Sequence, residues 1–185
     1  TKAAKYLNYT DLVSTILDSA KANYTVNVVE ALDIDPDSDT TKGFYQWGSM
    51  LFYEIATSDW NQNLNYSSIV IDLAVWMIDV HKTLSKPRNT AYAYEGIIHA
   101  YELARLDNAT VYKNKFASVI DEGLYKLSTW QVGSSIQNEF LQNNPTSDPL
   151  AVGGIMNEKD DPLLRIDVTQ HQMHAVILAM RYVYK

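Results

Sequence analysis

Apolar residues recur every three to four positions through most of this 185-residue chain, the period of helices that bury one face. The spacing predicts helices near 2–20, 43–57, 66–83, 90–106, 110–129 and 168–184, with a shorter one near 133–141. Segment 24–32, YTVNVVEAL, fits either a helix or a short strand. The breaks between these segments have chemical causes. DIDPDSDTTKG (33–43) is turn-rich and acidic around Pro36. SDWNQNLNYSS (58–68) offers Asn65 or Ser67 as a helix N-cap, and SKPRNT (85–90) stops one helix at Pro87 and offers Asn89 or Thr90 to the next. Residues 143–162 hold Pro145, Pro149, Pro162 and a Gly-Gly pair, which excludes a regular helix over the longest irregular stretch.

The helical pattern repeats. Gly48-Ser-Met-Leu-Phe-Tyr-Glu-Ile-Ala56 aligns with Gly96-Ile-Ile-His-Ala-Tyr-Glu-Leu-Ala104 at an offset of 48 residues, and His99-Ala-x-x-Leu-Ala104 aligns with His174-Ala-x-x-Leu-Ala179. A period of this length is one pair of helices with two loops. The chain therefore reads as a single all-α domain, 1–185, of antiparallel helical hairpins at 43–83 and 90–129, with a third hairpin built differently. The small-residue helices 43–57, 90–106 and 168–184 form an expected inner set. The helices 66–83 and 110–129 form an outer one, the latter with Lys113, Lys115, Asp121, Glu122 and Lys126 on one face.

Composition narrows the function classes. A net charge of −7 with scattered basic residues argues against a nucleic-acid binder. No apolar run is long enough to span a bilayer. The absence of cysteine removes disulfides, thiolate metal sites and cysteine nucleophiles. Four N-x-[ST] sequons, at Asn8, Asn23, Asn65 and Asn108, lean toward an extracellular or cell-surface location. Thirteen tyrosines and four tryptophans supply rings with one polar edge, which suit core filling and also sugar-binding surfaces. The chain opens on Thr1 without a signal-peptide pattern, and the expectation is a piece of something longer.

The pattern NTAYAYEGIIHAYELARL (89–106), followed by GGIMN and LLRIDVTQHQMHAVILAM near the end, resembles the helical hairpins of α/α-toroid carbohydrate-active enzymes, the glycosidases, polysaccharide lyases and sugar epimerases. The resemblance implies a ring of hairpins whose inner helices line a glycan-binding cleft at one end. A complete six-hairpin ring needs more chain than 185 residues, so this chain is expected to form part of one.

The repeat places Trp47, Glu95 and Gln170 at equivalent positions near the N-terminal ends of the three inner helices, where free N–H groups favour polar ligands. Tyr45, Gln46, Tyr92, Tyr94, Asp167 and His171 are expected to face the same opening. Glycoside hydrolysis needs two carboxyl groups across the scissile bond, and Glu95 and Asp167 are the expected pair. Trp47, Tyr45, Gln46, Tyr92, Arg165, Gln170 and His171 are the expected sugar contacts. A lyase would instead use His171 or Tyr92 as base and Arg165 as charge neutraliser. The competing structural expectation is that Arg165 and Asp167 pair at a helix start and that Glu95 satisfies a neighbouring tyrosine.

Asp167, His171 and His174 fall at i, i+4 and i+7 on one helical face, a weak zinc spacing without a fourth ligand. His174 and His99 occupy the repeat, and core positions are expected for both. His81 is expected to be structural. The acidic stretches 33–39 and 157–161 lack the EF-hand spacing, and no phosphate-binding or nucleophile-elbow motif is present. No metal or cofactor is expected. The expected partner is a glycan. The alternative is a non-catalytic helical scaffold that binds a protein or peptide.

Overall fold

The computed structural model describes residues 6, 9–60 and 64–185. The expected helix 2–20 falls partly on residues 1–5 and 7–8, and the sequon at Asn8 also lies outside the described residues. Helix α1 (Val13–Tyr24) runs through a π-helical stretch (Thr25–Glu30) into α2 (Ala31–Ile34), with right-handed helical angles at both junctions. Segment 24–32 is thus helical, not a strand. Widening to a π turn leaves backbone groups without their usual partners. The carbonyl of Asn27 accepts from the buried Thr41 hydroxyl at 2.8 Å, which ties the π stretch to the next helix.

That helix, α3 (Asp39–Ala56), starts four residues earlier than the spacing predicts. Ser38 Oγ accepts from the backbone N–H of Thr40 and Thr41, so the polar DTTK run is a capped first turn and not loop. Ser38→Ala is expected to cost about 1 kcal/mol, the ordinary value of such a cap, read as a lowered urea midpoint at unchanged slope. Helix α4 (Tyr66–Asp79) takes Asn65 as its cap, through the N–H of Ser68. Helix α5 (Ala91–Leu106) is preceded by Asn89, whose side chain accepts from the N–H of Ala91 at 2.9 Å. Helices α6 (Thr110–Ser128) and α7 (Glu139–Asn143) follow. The short helix expected near 133–141 forms later, because Asn138 caps it through Leu141 N–H.

The expected hairpins form: α3 packs on α4 and α5 on α6. Helix α5 is the hub, packed against α3, α4, α6 and the last helix, α8 (Ile166–Tyr182). Its surroundings explain its composition, since a helix enclosed on all sides cannot keep a polar face. Small residues set the spacing. A Cβ at Gly96 would lie 2.6 Å from the Tyr45 ring, and one at Gly123 would lie 2.0 Å from the Tyr94 ring. Both rings are fully buried. Among the described residues no helix is long and apolar enough to cross a membrane.

The irregular stretch 143–162 runs into a small antiparallel sheet, β1 (Met156–Glu158) and β2 (Asp161–Leu164), in the register Met156 to Leu164 and Glu158 to Asp161. It is held from outside. Asn89 N–H donates to Asn157 O at 2.7 Å, and Met156 N–H donates to Trp130 O at 3.1 Å. These bonds fix the residues ahead of α8 against the start of α5. Helix α8 buries Val168, Gln172, Ala175, Leu178 and Ala179, while Met173, Ile177 and Met180 on another face are each more than half exposed.

Candidate functional site

An open cleft of about 470 Å³ lies where the starts of three helices meet. Helix α3 contributes Lys42, Gly43 and Gln46, α5 contributes Ala91 and Tyr92, and α8 contributes Val168 and His171, with Asp167 in its first turn. The loop 86–90 and Asn157 of the small sheet close the remaining side. At Gly43 a Cβ would meet nothing within 4 Å, in keeping with its open position at the cleft.

Beneath this surface is a buried carboxylate. Glu95, on α5, is 0% exposed. One of its oxygens lies 2.8 Å from Nδ1 of His171, and the other lies 2.8 Å from Nδ1 of His174. Gln46 donates its side-chain N–H to the second oxygen, also at 2.8 Å, and its amide nitrogen lies 3.2 Å from His171 Nδ1. Four side chains from three helices thus form one cluster. A carboxylate removed from water needs such partners, because an unpaired buried charge is costly. Glu95 accepts, so each imidazole carries its hydrogen on Nδ1. In the neutral form of His171, 23% exposed and lining the cleft, this leaves Nε2 as the nitrogen with a free lone pair. A carboxylate that fixes tautomer and ring orientation in this way is a recurring device for proton transfer.

Asp167 has a different environment. Arg165 grips it through two guanidinium bonds, at 3.0 and 2.6 Å. The Arg165 hydrogen bond holds the Asp167 carboxyl below the usual carboxylate range. Such a group stays ionised in neutral solution and does not serve as an acid. Glu95 is not among the cleft-lining residues and has no surface to offer a substrate. The two expected carboxyl groups are therefore held in separate pairings, one exposed and one buried, and not as a matched acid and base. Burial, helped by Asp37 and Asp39, pushes the Tyr92 phenol up to about 12, so it keeps its proton.

Gln46, Tyr92, Arg165, Asp167 and His171 come together at the cleft as expected. Four expectations need correction. Tyr45 and Tyr94 are core residues, packed over Gly96 and Gly123. Trp47 is 62% exposed and, like the exposed Gln170, is not among the cleft-lining residues. Trp47, Glu95 and Gln170 share a repeat position, but only the copy on the enclosed helix α5 is buried by neighbours on every side. His174 is not a core residue. It is 37% exposed and bonds Glu95 from another helix. Glu95 is satisfied by two histidines and a glutamine, not by a tyrosine.

The pairing of Arg165 with Asp167 is the arrangement expected of a helix start. Among the described residues no cluster of three potential metal ligands is arranged to hold an ion. His81 is buried, stacked on Trp76 and bonded to Asp37 at 2.8 Å. The sequence reading missed Lys42, Lys86, Arg88, Asn89 and Asn157 as cleft residues. The last of these sits in a sheet that no alternation pattern announced.

Comparison with protein-family models, curated proteins and solved structures finds no match to this chain.

Proposed function

We propose that this chain is a carbohydrate-active domain that binds a glycan in the cleft at the starts of α3, α5 and α8, and that its helices form an arc of an α/α toroid. One observation carries the reading: amide, phenol and charged side chains surround an imidazole that a buried carboxylate orients. Sugars offer many hydroxyl groups, and Gln46, Asn89, Tyr92 and Asn157 supply donors and acceptors to match them. The packing is compatible with the arc, since α5 contacts α3 and α8, the other two expected inner helices, as well as α4 and α6.

In this reading the acid–base group is His171, with Glu95 as its positioning residue and Arg165 as the neutraliser of developing negative charge. This favours proton transfer of the lyase or epimerase kind over two-carboxylate hydrolysis. An extracellular or cell-surface setting belongs to the same proposal, and the exposed sequon residues Asn23, Asn65 and Asn108 support it.

The test is an oligosaccharide array followed by calorimetry on the glycans retained. His171→Ala is expected to weaken binding about tenfold, the value of one good hydrogen bond to the ligand, and to lower the unfolding midpoint, because it takes from one buried Glu95 oxygen its partner. An array on which no glycan binds overturns the proposal. The alternative, a scaffold that binds a protein, draws on the exposed Met173, Ile177 and Met180 of α8, and a protein that binds α8 while glycans do not would favour it.

A further inference from the structure

Helix α8 presents apolar residues on two opposite faces. The inner face buries Val168, Ala175, Leu178 and Ala179. The outer face carries Ile166, Met173, Ile177 and Met180, at 90, 58, 56 and 61% exposure. A helix with one core to face keeps polar residues on its far side, and α8 does not. With the exposed Gln170, the outer positions fall at 166, 170, 173, 177 and 180, in alternating steps of four and three. That is the heptad spacing by which one helix packs along another. Single exposed apolar residues are ordinary, but a continuous stripe along a whole helix marks an interface.

The stripe is complementary to itself when two copies of α8 run antiparallel. About a two-fold axis midway between positions 173 and 177, Met173 meets Ile177 of the second copy, Gln170 meets its Met180, and Ile166 overlies its last turn. Asp167, His174 and Arg181 lie along one edge of the stripe, seven residues apart. The same axis brings Asp167 of each copy beside Arg181 of the other, so two opposite-charge pairs form. A parallel pair would set this edge against Thr169, Val176 and Val183, which carry no charge. Arg165 holds Asp167 in an exposed pair, which is weak enough to share the carboxylate. Arg181 is exposed and lies over the Tyr182 ring. Antiparallel helices also set opposite ends of their dipoles together. Ile166, Met173, Val176, Ile177 and Met180 offer roughly 600 Å² of open side chain, within the about 600–1,000 Å² that each partner gives to a stable interface.

From this combination we infer that α8 is the interface of a two-fold symmetric homodimer, its outer stripe packed antiparallel on the same stripe of a second copy of this chain. Asp167 lines the cleft, so the pairing brings Arg181 of the second copy to the cleft rim. The inference is independent of what the cleft binds.

The experiment is sedimentation equilibrium of the whole chain over a wide range of concentration. The expected result is a two-chain mass that dissociates on dilution. Ile177→Glu, at an exposed position, is expected to weaken association about a hundredfold, because the axis places two carboxylates in the apolar seam. Circular dichroism and the unfolding midpoint confirm that the variant is folded. Arg181→Glu and Asp167→Lys each set like charges together in their own homodimers, and each is expected to weaken association several-fold. Mixed in equal amounts, these two variants restore both opposite-charge pairs, and the mixture is expected to associate as tightly as the parent. A chain that stays monomeric at every concentration, with α8 open to some other protein, would overturn the inference. A dimer that Ile177→Glu leaves intact would do the same. So would a mixture no tighter than either variant alone, since the antiparallel register is what joins 167 to 181.

Discussion

Glu95→Ala is expected to destabilise the domain by about 3–5 kcal/mol, because three hydrogen bonds to a charged acceptor, each worth about 1.5–3 kcal/mol, are lost and the part-exposed histidines regain some of that from water. The residue has no exposure, and its two oxygens gather donors from three side chains. Truncation leaves Gln46 and both imidazoles facing a void. Glu95→Gln is the finer probe. It preserves volume but replaces one acceptor oxygen with a donor, so one of the hydrogens directed at it loses its acceptor, at about 1–3 kcal/mol.

Because the histidines are partly exposed, water recovers some of that loss, and the lower half of the range is expected for glutamine. Urea unfolding at constant slope measures both variants. Glycan binding by the folded Glu95→Gln variant is expected to fall as far as in His171→Ala, since the ring loses its orientation. An unfolding midpoint equal to that of the parent in Glu95→Ala would show that the cluster carries no stability.

Gly123→Ala has the second largest expected effect. The new methyl would lie 2.0 Å from two carbons of the Tyr94 ring and 2.2 Å from its hydroxyl oxygen. Tyr94 has no exposure and sits on the hub helix, so it has nowhere to swing. Overpacking of this kind costs about 1–3 kcal/mol, and the upper end is expected where the neighbour is a locked ring. The gain in helix propensity from glycine to alanine, about 1 kcal/mol, offsets only part of it.

Gly48→Ala makes a useful contrast. Its methyl would meet the ring of Phe44, a half-buried residue one turn earlier on the same helix, which can rotate away. A smaller loss is expected there. Pairing Gly123→Ala with Tyr94→Leu is expected to recover part of the stability, a favourable coupling of about 1–2 kcal/mol in a double-mutant cycle. Strict additivity would mean that the two side chains do not meet.

These two variants mark different degrees of legibility in the sequence. The repeat of Gly48 and Gly96 is visible in the chain, and it identified helices that approach closely. Gly123 lies on α6 with no repeat partner, and only the packing shows that Tyr94 fills its place. Likewise Arg165 and Asp167, two residues apart, pair as their spacing suggested. Glu95 and its histidines are 76 and 79 residues apart in the chain, and no local signal joins them.

The sequence by itself determined the helices, because apolar period, N-caps such as Asn65 and breakers such as Pro87 act within a few residues of where they stand. It also determined the hairpin pairing, through the repeat, and the polar character of the starts of α3, α5 and α8. The tertiary structure decided which copy of a repeated position is buried. Trp47, Glu95 and Gln170 share one helical angle, yet burial depends on how many neighbours a helix has, and only α5 is enclosed. It also decided the small sheet at 156–164, whose strands are too short for alternation to show and are held by bonds to Asn89 and Trp130. The cationic lining of the cleft is a property of three separated segments brought together, around Lys42, Lys86 with Arg88, and Arg165, and charge counted along the chain averages it away.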